Sequence, residues 1–352
     1  MSVSLTLFIP SLTSPLSAWK RDFGFSPEST VFSNWLKHTH IKTTSSVGFE
    51  RSLFSSLGFP DHEELPIARY RVINEVFHEN ITGKQLSESQ QTLLCADPVH
   101  CEAGMKDVTL TQSVRDLGKA ETDELITLLN QHFGEDGLHF FAANREQWYL
   151  QLPEKETLKT TVLADVQGRN IFPSIPSSTD RNWLALQNEV QMLLHSANLN
   201  QTREISGLPS VNSLWFWGGG DVFTANRRFD HVFARENSTE AGLFANANDT
   251  RLSGLSLESL EKYIANNAHS HVAIVFDQLI HPAQATDLDS WQDELNRLEK
   301  DYIKTLWLLW QGQKKGQLEI SIDTCHGKIL TPLKSPRWRF WKRSPVNLLD
   351  FA

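Results

Sequence analysis

The second half of the chain switches repeatedly between two periodicities. Leu257 to Ala265 repeats its apolar residues at helical spacing, Val272 to Phe276 is a short continuous apolar run, Leu288 to Trp310 returns to helical spacing, and Leu318 to Ile322 reads as another strand. A strand that is apolar throughout must be covered on both faces, and the intervening helices are what covers it. The pattern therefore predicts an α/β fold, a mainly parallel sheet with helices on both faces. The opening run Leu5-Thr6-Leu7-Phe8-Ile9-Pro10 fits the same sheet as a buried strand, stopped by Pro10 and released into a Ser- and Pro-containing loop.

The middle of the chain reads differently. Short strands over Thr92 to Ala96, Val108 to Leu110, Leu138 to Ala142 and Trp148 to Leu152 surround a helix over Thr122 to Phe133, which predicts an α+β lobe. From Asp165 to Asp180 the chain is rich in Gly, Pro, Ser and Asp, the composition of a connector. A chain of 352 residues has room for two domains. The expected division is a core from residues 1–89 and 161–352 with residues 90–160 inserted as the lobe. The helix Trp183 to His195 and the strand Val211 to Trp217 then belong to the core.

Composition narrows the function. Hydrophobic residues at 40% and charged residues at 21% are those of a folded chain. Lys and Arg number 33 against 42 Asp and Glu, and the net charge of -9 disfavours a phosphate backbone as general partner. Val3 to Ile9 is too short to span a membrane and no basic residue precedes it, so no membrane association and a cytoplasmic location are expected. Cys95, Cys101 and Cys325 are too few for a disulfide framework or a four-ligand zinc cage, and reduced thiols are expected.

Several segments carry chemistry. Gly218-Gly219-Gly220-Asp221 follows a strand and could cradle a phosphate on its backbone N–H groups, with Arg227 and Arg228 adding positive charge; a tight strand-to-loop turn is the plainer reading. Asp277 with His281, and Asp323 with His326, each follow a buried strand at spacings that suit a divalent metal, provided the two strands are neighbours; each pair alone reads as a loop cap beside a surface His. Asp97-Pro98-Val99-His100 is a third such pair, equally readable as a rigid turn. Arg337-Trp338-Arg339-Phe340-Trp341-Lys342-Arg343 alternates basic and aromatic residues, as a partner surface or as a protected edge strand would.

Three segments also carry a resemblance. Ala96 to His100, Asn188 to Asn198 and Asn212 to Gly220 resemble the RpfE-type bacterial regulatory proteins, a likeness that implies a regulatory role without defining its chemistry. More remotely the chain resembles the archaeal-type cofactor-independent phosphoglycerate mutases of the alkaline-phosphatase superfamily. Leu57-Gly58-Phe59 is similar to a Leu-Gly-Tyr segment of that family, Val108 to Leu152 to its inserted lobe, and Asn212 to Gly220 to the strand and glycine turn after it. Asp277 and His281 keep its late Asp-x-x-x-His spacing.

The departures fall on the catalytic set. Pro10, Ser11 and Leu12 stand where the resemblance implies a metal-binding Asp, Phe49 where it implies the Ser nucleophile, and the adjacent Asp-His pair is opened into Asp323-Thr324-Cys325-His326. No His stands in the Pro336 to Trp341 region. These residues predict a pseudoenzyme, a cytosolic regulatory or binding protein on a degenerate phosphoglycerate-mutase-like scaffold. It would have no cofactor, a small anionic ligand near Gly218 to Asp221, and a protein partner through Arg337 to Arg343. The alternative is a metal-dependent phosphotransferase in which a slip of register makes Ser46 the nucleophile and Asp277, His281, Asp323 and His326 the metal ligands.

Overall fold

The computed structural model describes residues 2–73, 75, 85–86, 88–225, 229–235, 238–314, 316–334 and 347–352. Numbered along the chain, the strands are β1 (Val3–Phe8), β2 (Thr39–Val47), β3 (Leu93–Ala103), β4 (Val108–Ser113), β5 (His139–Ala142), β6 (Trp148–Gln151), β7 (Ser213–Trp217), β8 (His231–Ala234), β9 (Leu252–Gly254), β10 (His271–Val275), β11 (Leu318–Asp323) and β12 (His326–Pro332). They divide between two compact units, one of residues 1–61 with 225–352 and the other of residues 62–224.

The first unit holds a seven-stranded sheet in the order β2-β12-β11-β1-β10-β8-β9. β1 pairs in parallel with β10 and β11, β8 with β10, and β9 with β8, while β12 is antiparallel to β11 and to β2. The expected mainly parallel sheet is present, with Val3 to Ile9 and Val272 to Phe276 side by side in it. Period two explains its two covers. Leu5, Leu7 and Ile9 join Trp19 of the helix Leu16–Phe23 and Trp291 and Leu295 of the helix Leu288–Leu298 in one core, whereas Phe8 meets Phe244 of the helix Thr239–Ala247 at 5.5 Å on the other face.

The long helix expected over Leu288 to Trp310 is interrupted. After Leu298 one π-helical turn, Glu299–Ile303, precedes the helix Lys304–Gly312. That turn opens with Glu299, whose buried carboxylate accepts the backbone N–H groups of Val31 at 3.1 Å and Phe32 at 2.8 Å and the hydroxyl of Ser29. It caps the helix Val31–Trp35 from outside that segment, satisfying amides that a first turn leaves open.

The second unit corrects the expected boundaries. β3 pairs antiparallel with β4, β6 and β7, and β5 with β6. The strand expected to rejoin the parallel core thus lies against β3, in register Asp97 with Trp215. The helix Trp183–His195 packs here too, through Val190 and Leu194. The stretch expected to be a connector is pinned instead, because Gly168 donates to Leu110, Leu110 to Arg169 and Ile171 to Val108. The unit begins at His62 and ends at Thr224 rather than spanning residues 90–160. Among the described residues no helix is long and apolar enough to cross a membrane.

Candidate functional site

In an open parallel sheet, ligands bind beyond the carboxyl ends of the strands. In the first unit the chain emerges from that edge at Asp323 after β11, Ile9 to Ser11 after β1, Asp277 after β10 and Arg235 after β8. The two Asp–His pairs are therefore not on neighbouring strands. β1 lies between them, with Phe8 paired to Asp323 on one side and to Val275 on the other, which separates the two carboxylate-bearing chains by about 10 Å of sheet. What β1 offers there is Ile9 and Pro10, both buried, and Ser11, whose carbonyl accepts the indole N–H of Trp291 at 3.0 Å.

Each carboxylate has its own surroundings. Asp277 Oδ2 accepts the Ser238 hydroxyl at 2.6 Å, and the Arg235 guanidinium stands 3.6 Å from its Oδ1, a positive charge where a metal would have to sit. Asp323 is buried and its Oδ1 accepts the backbone N–H of Cys325 at 2.8 Å; burial pushes its pKa up to about 6. His281 and His326 are exposed. Among the described residues no three His, Cys, Asp or Glu side chains converge as a metal site would require.

The nucleophile region adjoins the Asp323 turn. Val47 pairs with His326, and Gly48, at φ 98°, donates its N–H to the Cys325 carbonyl at 3.0 Å before the helix Phe49–Ser56 begins. Phe49 is thus the first residue of that helix, buried and without a reactive atom. Ser46 is 4% exposed and its hydroxyl lies 3.3 Å from Asp61 Oδ1, while Ser45 donates to Oδ2. The Ser45 bond holds the Asp61 carboxyl below its ordinary pKa, the opposite of what a general base at neutral pH needs. The Cys325 thiol is raised by burial and by Asp323 and remains protonated.

The glycine turn in the second unit packs closely against its neighbours. The Gly218 amide donates to the Thr160 hydroxyl at 2.9 Å and the Gly220 amide to the Leu65 carbonyl at 3.0 Å. A Cβ on Gly220 would stand 2.0 Å from the Glu64 carbonyl oxygen, and one on Gly218, itself at φ 71°, 2.6 Å from Ile67 Cβ; on Gly219 the nearest atom is Leu94 Cδ2 at 2.7 Å. Asp221, next in sequence, does face an open depression of about 720 Å³ with Arg69, Ile73, Glu88, Ser89, Gln90 and Lys155. Its carboxylate accepts from Lys155 Nζ at 2.6 Å and lies 3.7 Å from Arg69, whose guanidinium also donates to the carbonyls of Ser89 and Gln91 at 2.8 Å. Arg227, Arg228 and the segment Arg337 to Arg343 lie outside the described residues.

Asp97 of the third pair is structural. It takes Arg71 Nη1 at 3.0 Å and the indole N–H of Trp217 at 2.8 Å, while Arg71 stacks 4.9 Å above the Trp217 ring. His100, on the same strand, contacts the Ser210 carbonyl through Nδ1 at 2.8 Å instead. Sequence reading missed Arg69 and Lys155. Its only available signal was an Arg among the apolar residues of the helix Ile67–Val72, and Lys155 has none.

No family model and no curated protein matches the chain. Among solved structures, the PH0037 protein from Pyrococcus horikoshii is similar over 97% of this chain and 90% of its own, at 11% identity and a TM-score of 0.50. A cofactor-independent phosphoglycerate mutase from Thermoplasma acidophilum DSM 1728 is matched over 95% of this chain and 90% of its own, at 12% identity and a TM-score of 0.36. At 11% identity the likeness to the first of these is one of fold.

Proposed function

We propose that the chain is a binding protein on a phosphoglycerate-mutase-like scaffold, a cytosolic pseudoenzyme in regulatory use, and that its ligand is a small anion. One observation carries the first half of this reading: β1 stands between Asp277 and Asp323 and ends in Ile9-Pro10-Ser11. Paired-metal phosphoryl transfer needs ions roughly 4 Å apart that clamp the entering and leaving oxygens. Two carboxylates separated by a strand with no acidic residue cannot bridge such a pair, and Arg235 beside Asp277 opposes even one ion. Phe49 cannot accept a phosphoryl group, and Ser46 is buried against a carboxylate too acidic to deprotonate it.

The anion reading rests on the depression lined by Arg69 and Lys155. Asp221 neutralises Lys155 in the free protein, so an incoming anion competes with that carboxylate and binds weakly. Inorganic phosphate is the probe. The expected result is a saturable rise in melting temperature, lost in Lys155→Gln and enhanced in Asp221→Asn; a flat titration sinks the ligand assignment. Separately, purified protein loaded with manganese, zinc or magnesium should give no turnover of 3-phosphoglycerate or of a generic phosphate ester. Turnover abolished by both Asp277→Asn and Ser46→Ala would restore the phosphotransferase reading.

A further inference from the structure

A second crevice, of about 550 Å³, opens in the first unit and is lined by Arg235, Gly254, Leu255, Ser256 and Tyr302. Its size is that of a small-molecule site. Arg235 follows β8 and Gly254 ends β9, so the crevice lies at the carboxyl edge of the parallel strands, where α/β sheets place their ligands. Leu255 and Tyr302 are partly buried and pack on the core of this unit; the Tyr302 ring, in the π-helical turn, stands 5.5 Å from that of Phe276. Single π-turns recur at functional sites.

The polar chemistry of this crevice reduces to one group. Ser256 is spent on the helix Leu257–Asn266, accepting the Ser259 amide at 3.1 Å and donating to the Ser259 hydroxyl at 2.8 Å. Arg235 is half exposed and carries the only charge among the described residues that line the crevice. Its Nε stands 3.6 Å from Asp277 Oδ1, beyond hydrogen-bond distance, and among the described residues no hydrogen bond holds the guanidinium. Asp277 does not line the crevice, and its Oδ2 is engaged by the Ser238 hydroxyl at 2.6 Å. A positive charge on the wall, with no carboxylate beside it there, opposes cations and favours an anion. Asp277 tempers that charge from outside the crevice, which limits the affinity.

The number and shape of the donors narrow the anion. One Arg matches one negative charge, whereas a phosphate group near neutral pH carries about -1.5 to -2 and would be left partly unpaired. The planar guanidinium fork meets a planar carboxylate in two parallel N–H···O bonds. We propose that this crevice binds a small organic monocarboxylate, its carboxylate on Arg235 and its apolar body against Leu255 and Tyr302. The site shares no lining residue with the anion depression and stands independently of it.

Benzoate and butyrate are the probes, each titrated into the full chain by calorimetry. The expected result is saturable binding of at least one of them, with a Kd on the order of a millimolar or tighter. The uncharged amide of that acid, and the acid itself against Arg235→Gln, should each bind on the order of tenfold more weakly. Tyr302→Ala should also weaken binding by removing apolar surface, while Lys155→Gln leaves it unchanged. Absence of binding by both acids, an amide that binds as well as its acid, affinity that survives Arg235→Gln, or binding lost in Lys155→Gln overturns the proposal. The comparison of acid with amide needs no variant, so it decides the question even if a substitution disturbs the fold. A flat phosphate titration beside saturable binding of a carboxylate would sink the anion depression and leave this site standing.

Discussion

Asp323→Asn separates a buried carboxyl with no metal from one that a metal holds ionised. In the folded chain its pKa is pushed up to about 6 by burial, against an ordinary value of 3.8. The native state therefore binds more protons than the unfolded state between those two values, so the stability that this group contributes is full below about pH 4 and is lost as pH rises through about 6. Above that, ionised Asp323 costs roughly 2.2 × 1.36, or about 3 kcal/mol, relative to a neutral group at the same place. Asn is isosteric and keeps an oxygen for the Cys325 amide, but its NH₂ must find an acceptor, which returns about 1–2 kcal/mol of that gain. Urea unfolding followed by tryptophan fluorescence should thus show Asp323→Asn more stable than the natural chain by about 1–2 kcal/mol at pH 7.5, with the difference crossing zero at roughly pH 5 and reversed, the Asn variant the less stable, by pH 4. A metal would reverse the sign, because coordination favours the carboxylate and its loss would destabilise. An Asn variant less stable at pH 7.5, or a gap independent of pH, would refute the reasoning; a loss of stability on adding a chelator to the natural chain would refute it separately.

Three further outcomes follow from the packing. Gly220→Ala should lower the stability of the second unit by about 3 kcal/mol or more, since its Cβ meets backbone rather than a movable side-chain end; an unchanged urea midpoint would return the turn to ligand binding. Thr13→Val should be neutral or stabilising by about 1 kcal/mol, because the Thr13 hydroxyl is fully buried with no hydrogen-bond partner among the described residues; a loss above about 1 kcal/mol in thermal unfolding would mean that the hydroxyl is satisfied in solution. Arg203→Met should cost about 2 kcal/mol, not the 5 kcal/mol of a stranded buried charge, since its partners Asp116 and Glu121 reach solvent once the guanidinium is gone; chemical denaturation distinguishes the two.

The parallel sheet was legible because its strands are apolar on both faces, a condition only a twice-covered sheet imposes, as β1 and β10 show. The same signal misplaced β7. Ser213 to Trp217 is buried at every position, which the antiparallel strand beside β3 achieves as well as a parallel core strand would, so periodicity fixed the element and left its sheet open. The stretch around Gly168 failed for another reason: turn-forming residues mark where the chain bends, whether or not the bend is held to a neighbour by backbone bonds, and here Leu110 holds it. Glu299 could not be anticipated, because its target amides lie some 270 residues away.

For the site, the sequence carried residue types but not strand order, and strand order decides the chemistry. Asp277 and Asp323 each end a buried strand, and a dinuclear centre follows if those strands adjoin. The chain's first strand is inserted between them, so the acidic residue that matters is one that β1 does not have. The bottom-up consequence is specific: restoring an Asp at Ser11 alone would not rebuild a metal site, since Arg235 would still stand beside Asp277 and His281 and His326 would still be exposed. Ser11 is also held at φ 60°, a conformation Asp tolerates, so Ser11→Asp should fold and still bind no divalent ion at micromolar concentration by calorimetry. Stoichiometric binding by that single variant would show that β1 is the sole obstacle and that the edge of this sheet remains one substitution from a metal centre.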